Sequence, residues 1–322
     1  MMPNFDAGRV RVRLVCADGL VNAVHVSAER PDAATVLRGR TADQAVQLVF
    51  LLFALCGQSQ ASAAVLALAA ARGKECLPQL DPNVQREVLR EHVWRCLLDL
   101  PPLLGMAALQ QEFASAAKWI AEGNRDELRA LLSSPHIDAL RQLLKLAGES
   151  PAPASRLLPP LDAKNSLTEW PRLSAEFCRL PSWRGMAAET GAIARQPQIN
   201  DRSASLFSAR WLARFAELLD WARGNEQAGA GGTVSAVPVA SGIGRSLVET
   251  ARGLLMHEIV LDGERVADYL IVAPTEWNFH PRGALADHLL GQDAMDREAL
   301  HQHVARSIAA LDPCVPWELE WA

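Results

Sequence analysis

Arginine and aliphatic residues alternate at the start of the chain. In "GRVRVRLVCADGLVNAVHV", Val10, Val12 and Leu14 fall on one face of an extended segment and Arg9, Arg11 and Arg13 on the other, and Asp18-Gly19 supplies tight-turn chemistry before a second apolar run. The pattern predicts a half-exposed β-hairpin. The same design returns near the other end, where "LLMHEIVLDGERVADYLIV" places Asp262-Gly263 between two strand-like runs that lead into "APTEWNFHPRG". Between the hairpins the period changes to that of a helix. Asp81-Pro82-Asn83 opens a segment in which Val84, Val88, Val93, Leu97 and Leu100 recur at helical spacing, with Pro101-Pro102 as the predicted stop. Segments at about 104–122, 125–132, 136–147 and 204–222 carry the same period. "GESPAPASRLLPPLD" (148–162) reads as a Pro-rich connection. "GNEQAGAGGTVSAVPVASGIG" (224–244), rich in Gly and Ala and nearly free of charge, reads either as a mobile loop or as backbone that passes close to a neighbour. From Gln44 to Ala71 no residue is charged, but "GQSQ" interrupts the apolar run, so the expectation is a buried core helix and not a membrane span. No internal repeat is evident. The predicted fold class is mostly α with small β.

Composition narrows this picture. A chain of 322 residues with 49% apolar and 21% charged content has room for a sizeable core, as one large domain or two average ones. A net charge of −5 without any basic block argues against nucleic acid as a partner, because such proteins concentrate Lys and Arg to replace phosphate counterions. Six cysteines lie far apart, none at Cys-x-x-Cys spacing, which excludes a disulfide framework and a zinc ribbon. With no N-terminal signal pattern, a reducing cytoplasm is expected, and no membrane partner.

Two of the cysteines are candidates for chemistry. Cys56, in "LFALCGQSQ", ends an apolar helical run at a Gly, and the alternative to a functional thiol there is a buried small hydrophobe. Cys314, in "DPCVP", sits in a stiff frame between Pro313 and Pro316, where Asp312 is placed to cap or hydrogen-bond the turn; the alternative is a terminal cysteine tucked against the core. Cys16, Cys76, Cys96 and Cys178 have no partner at metal spacing and read as structural thiols. His257 lies in a strand-like run, where a satisfied, buried histidine is expected over a ligand.

The run "SLVETARGLLMHEIVLDGERVADYLIVAPTEWNFHPRG", taken with "GRTADQAVQLVFLLFALCGQSQASAA" and "DPC", resembles the large subunit of nickel–iron hydrogenases. That family has a Glu-Ala-Pro-Arg-Gly turn, a His, a hairpin and then Pro-Thr-x-Trp-Asn-x-x-Pro-Arg. Here Glu249, Arg252, Gly253, His257, Asp262-Gly263, Tyr269, Pro274, Thr275, Trp277, Asn278, Pro281 and Arg282 stand at the matching places. The resemblance implies one hydrogenase large-subunit-like domain over 1–322. It would comprise the hairpin and first cysteine helix (1–75), a shortened helical middle (76–235) and a C-terminal hairpin with the Asp-Pro-Cys end (236–322).

The family's enzymes hold nickel and iron through two Cys-x-x-Cys pairs, and each pair is halved in this chain. Cys56 matches the first cysteine of the first pair, while its second falls on Ser59 and a following His on Ala63; Cys314 matches the first of the last pair, while its second falls on Trp317. The retained cysteines match those that hold nickel terminally in the enzymes. The resemblance further implies that no C-terminal peptide remains to be processed. Two thiolates cannot build a four-sulfur bridged nickel–iron site, so no nickel and no enzymatic activity are expected. They can hold a single low-spin iron whose other positions carry carbon monoxide and cyanide.

By the resemblance, Arg252 would donate to a cyanide nitrogen, the alternative being an Arg that bridges Glu249 in a structural turn. Glu249 would be structural or proton-handling, Ser59 and His257 would lie around the thiols, and Trp277, Asn278, Pro281 and Arg282 would build the pocket wall. "REVLREHVWRCLLDLPP", with Glu91, His92 and Trp94, resembles hydrogenase accessory proteins of the HupK/HoxV type, although on its own it is an amphipathic helix whose His and Trp face core or partner. The function implied is a scaffold or carrier of an Fe(CN)2(CO) unit during hydrogenase maturation. Its implied partners are the maturation complex proteins and the hydrogenase large-subunit precursor. The alternative is a metal-free chaperone or structural subunit for that precursor.

Overall fold

The computed structural model describes residues 8–31, 33–147, 156–199, 205–226 and 230–322. The N-terminal alternation folds as predicted: β1 (Arg9–Ala17) and β2 (Leu20–Glu29) pair antiparallel, with Asp18 and Gly19 both at positive φ in the turn. Val10, Val12 and Leu14 are buried, and the Arg face pairs with Glu29, Glu318 and Glu320. The hairpin is not alone. The last residues, Trp317–Trp321, form a strand that runs parallel to β1 and completes a three-stranded sheet, which ties the two ends of the chain together.

The second hairpin is likewise part of something larger. β3 (Cys76–Leu80), β4 (Thr233–Ala240), β5 (Ile243–Thr250), β6 (Gly253–Asp262) and β7 (Arg265–Val272) form one antiparallel sheet in sequential order. The Gly- and Ala-rich stretch is therefore no loop over its second half: it supplies β4 and the turn into β5. Of its two readings, close backbone approach applies at Gly244, where an added Cβ would lie 2.1 Å from the Ala71 nitrogen.

The uncharged stretch divides in two. α1 (Ala42–Leu52) opens on a Thr41 capping box, Phe53 breaks it with φ −121°, and a single 3₁₀ turn carrying Cys56 leads into α2 (Gly57–Ala71). Gly57 thus starts a helix where the sequence suggested the end of one. The reason is tertiary. Glu87, from α3 (Pro82–Trp94), accepts from the Gln58 and Ser59 backbone N–H groups and so caps a helix start that has no local capping residue. α2 then lays Ala63, Ala64 and Ala67 on the sheet, and Ser246 donates to the Ala63 carbonyl.

Pro101-Pro102 does not stop the helix either. A π turn over Arg95–Asp99 and a further helical turn over Leu100–Leu103 carry it past both prolines, since the widened turn removes the i−4 bonds the rings would break. Helices at Gln110–Glu122, Arg125–Leu132 and Pro135–Leu146 match expectation, apart from a start at Gln110 in place of about 104. Residues 148–155 of the Pro-rich connection lie outside the described residues. The central helix α4 (Leu206–Arg223) is buried nearly all round, and α5 (Arg297–Leu311) leads to Asp312. No helix among the described residues is long and apolar enough to cross a membrane.

Candidate thiol site

Three segments converge around Cys56 and Cys314. The 3₁₀ turn before α2 presents Cys56. α5 ends at Asp312, whose positive φ of 57° turns the chain sharply into Pro313 and Cys314. The β5–β6 turn presents Arg252, with the Thr250 hydroxyl accepting from the Arg252 and Gly253 N–H groups. The sulfurs of both cysteines lie within electrostatic reach of each other and of the Arg252 guanidinium.

Each thiol has its own polar neighbour. The Thr275 hydroxyl lies 3.1 Å from the Cys314 sulfur. The Gln60 amide donates to Cys56 Sγ at 3.8 Å, and its Oε1 faces His257 Nε2 at 2.9 Å. A carbonyl oxygen can only accept, so Nε2 carries the proton and Nδ1 accepts from the Tyr269 hydroxyl at 2.8 Å. His257 is thus the satisfied, buried histidine the strand pattern suggested, and it reaches Cys56 through Gln60. Burial lowers its pKa to about 3, so it is neutral. Burial also pushes the Cys56 thiol up to about 12, the Cys314 sulfur adding to the rise while Arg252 and Gln60 oppose it.

Acids hold Arg252 in place. It donates from Nη2 to Glu91 at 3.0 Å, and its Nε lies 3.5 Å from Asp312 without a hydrogen bond. Asp312 also faces Arg95 at 3.0 Å and Arg214 at 4.0 Å. Burial alone would raise the Asp312 pKa, but Arg252, Arg95 and Arg214 together hold it below the ordinary carboxylate value. Arg214 itself is buried and leaves Nε and Nη1 without acceptors among the described residues, while its guanidinium stacks on Trp211.

The structure separates some residues that the sequence grouped. Glu249 is paired with Arg195, not Arg252, in a buried network where Arg195 also binds Glu217 and Glu217 binds His92. The Arg252–Glu249 bridge is therefore absent, because successive strand residues point to opposite faces and the tight turn directs Arg252 toward α3. Ser59 is fully buried with its hydroxyl on Glu87, so the place of the second cysteine is filled by a satisfied polar group. Trp277 packs on Trp170 and Phe177, its indole N–H without an acceptor among the described residues. Together with Asn278 and Arg282 it lines a cleft of about 320 Å³ that neither cysteine lines. Asn278 does bear on the site, since it donates to the Arg252 carbonyl and accepts from the Thr190 N–H. Pro281 lies in the turn beyond, and the Arg282 N–H bonds the His280 ring.

Sequence reasoning passed over Glu91, Gln60, Arg30 and Glu276 as site residues. Glu91 was visible only as part of a motif on an amphipathic helix, and no local pattern marks the others. No group of three or more His, Cys, Asp or Glu side chains converges as a metal site among the described residues.

A family model described as nickel-dependent hydrogenase matches residues 202–316. Among curated proteins the chain is 30% identical to the hydrogenase expression/formation protein HoxV of Cupriavidus necator, over 92% of each chain. It is also 30% identical to the hydrogenase expression/formation protein HupK of Azotobacter vinelandii, over 98% of each. Among solved structures it resembles the Ni-Fe-Se hydrogenase of D. vulgaris Hildenborough, with a TM-score of 0.61 at 16% identity over 93% of this chain and 94% of that one. The [NiFeSe]-hydrogenase of Dm. baculatum gives a TM-score of 0.64 at 13% identity, over 92% and 94%. These two likenesses establish the large-subunit-like fold.

Proposed function

This chain belongs to the HupK/HoxV family of hydrogenase expression/formation proteins, and on that premise we propose that it carries an Fe(CN)2(CO) unit on Cys56 and Cys314 during hydrogenase maturation. An accessory role in hydrogenase formation follows from the family. The carrier chemistry is our reading of the site.

One observation carries it. The two cysteines at the motif positions, far apart in sequence, come within electrostatic range of each other and of the buried Arg252 guanidinium, which Glu91 and Asp312 face. Thiolate is a soft donor suited to low-spin iron, and an iron that brings its own cyanide and carbon monoxide needs few protein ligands. Two thiolates make the bound fragment anionic, and Arg252 supplies the compensating charge and N–H donors for a cyanide nitrogen. Two protein ligands also bind less tightly than the four sulfurs of the enzymes, which suits cargo that has to be released. In this reading the recipient is the hydrogenase large-subunit precursor, and the donor is the complex that assembles the iron unit.

The test is infrared spectroscopy of the protein purified without oxygen from cells expressing the whole maturation machinery, with Cys56→Ala as control. Carbon monoxide and cyanide stretches in the wild type that vanish in the variant are expected. A wild-type spectrum free of these bands, with no bound iron, would replace the carrier with a metal-free chaperone of the precursor.

A further inference from the structure

A second guanidinium lies within electrostatic range of the thiols, on an element unrelated to Arg252. Arg30, at the end of β2, lies within electrostatic reach of both Cys56 and Cys314. Its partner is Glu276, buried in the short helix Pro274–Asn278, one residue after the Thr275 whose hydroxyl touches Cys314. This ion pair is only half made. A single contact of 3.4 Å joins Arg30 Nη1 to Glu276 Oε1, and Glu276 Oε2 is buried with no hydrogen-bond partner among the described residues. Burying a carboxylate in that condition is costly, since an unmet buried acceptor carries a desolvation penalty of about 1–3 kcal/mol or more.

Resting on the carrier reading, we propose that Arg30 is a positioning residue for the cargo: it anchors a cyanide nitrogen of the iron unit, and Glu276 is the counter-charge that holds it while the site is empty. The chemistry favours two cations. The ferrous dicyanide carbonyl fragment is neutral by itself, so two bound thiolates leave the loaded site doubly anionic. Arg252 is already shared between Glu91 and Asp312. Arg30 is opposed by one weakly engaged acid, and its side chain keeps 19% of its surface exposed, so it has both the charge and the freedom to transfer its N–H groups to an arriving anion. No bond is made or broken in this step beyond the exchange of one hydrogen-bond acceptor for another.

A structural ion pair and a cargo anchor differ in what each half does. If Arg30 and Glu276 merely brace the fold, Arg30→Met and Glu276→Gln break the same bridge and have the same consequence. If Arg30 anchors cargo, they diverge. We expect Arg30→Met, purified anaerobically from cells expressing the maturation machinery, to lose iron on repeated desalting about 10–100-fold faster than wild type, with its cyanide bands shifted. Arg30→Lys keeps the charge without the planar fork and falls between. Glu276→Gln, which removes the competing acid, holds iron longer than wild type. Thermal unfolding of each variant verifies that it is folded. Parallel behaviour of Arg30→Met and Glu276→Gln, or unmoved cyanide bands in a loaded Arg30→Met protein, would overturn the anchor and leave the carrier reading standing. A wild type without carbon monoxide or cyanide bands removes the carrier reading first, and the anchor with it.

Discussion

Two buried arginines at opposite ends of β5 have opposite surroundings. Arg245 on β5 is completely buried, and its guanidinium reaches Glu258 from Nε and Nη2, the Trp170 carbonyl and Ser166 from Nη1, and the Pro171 carbonyl from Nη2. Every side of the fork is occupied, and what it joins is the sheet face and the helix over Ala163–Glu169. Arg252, in the turn that follows β5, has one hydrogen bond to Glu91, an Nε without an acceptor among the described residues, and two sulfurs within electrostatic range. A buried donor set that is saturated by protein has no capacity for a ligand, whereas one left short of acceptors has, because an unmet donor costs more than a made bond returns. The first arginine braces the fold, and the second keeps donor capacity that the proposed anionic cargo would use.

The widest separation between the two regions is expected from the thiols themselves. Cys56→Ala or Cys314→Ala should abolish hydrogenase maturation in a complemented host while the unfolding midpoint stays close to wild type; normal maturation with either variant would end the carrier reading. Next comes Arg245→Met, which leaves Glu258 buried with the half-exposed Arg172 as its one remaining partner among the described residues. It should cost about 3–5 kcal/mol in denaturant unfolding without altering the iron content of whatever protein remains folded. Arg252→Lys is the mirror case: the charge is kept and the fork is lost, so stability falls modestly while iron retention drops about 10–100-fold. Equal effects of these two substitutions on stability and on iron would erase the distinction.

Acid provides a finer probe. His257, lowered from 6.5 to about 3 by burial, is neutral in the fold but charged in the unfolded chain once the pH drops below 6.5. Stability present above pH 6.5 is therefore lost progressively as pH falls toward 3. Asp312, held low by its three arginines, acts in the same direction below the ordinary carboxylate value. His257→Gln should flatten the upper part of this dependence in denaturant titrations made at a series of pH values. The smallest effect belongs to Ser59→Cys, which gives up the hydroxyl bond to Glu87 and should cost about 1 kcal/mol.

Legibility in the sequence followed the range of the interactions. The Arg-aliphatic alternation, both Asp-Gly turns and the helices at Arg125–Leu132 and Pro135–Leu146 were readable because pleat, turn and helical period are set by residues within a few positions of one another. Cys56 and Cys314 were recognisable as a pair because each retains half of a spaced motif. The break of the uncharged stretch at Phe53 was not readable, since the cap that starts α2 comes from Glu87 in another helix. Nor was the separation of Glu249 from Arg252, three residues apart, where a tight turn sends one to Arg195 and the other to Glu91.

By itself, then, the sequence determined the two hairpins, the helical middle, the family likeness and the halved set of thiols, all of them properties of local period or of short spaced motifs. The tertiary structure alone decided that β4 and the C-terminal strand extend the hairpins into sheets, that Glu91 and Asp312 share Arg252, and that Arg30 pairs with Glu276 within electrostatic range of the sulfurs. Charges meet through space at distances of a few ångströms, and no spacing along the chain encodes which of 37 acids will face which of 32 lysines and arginines.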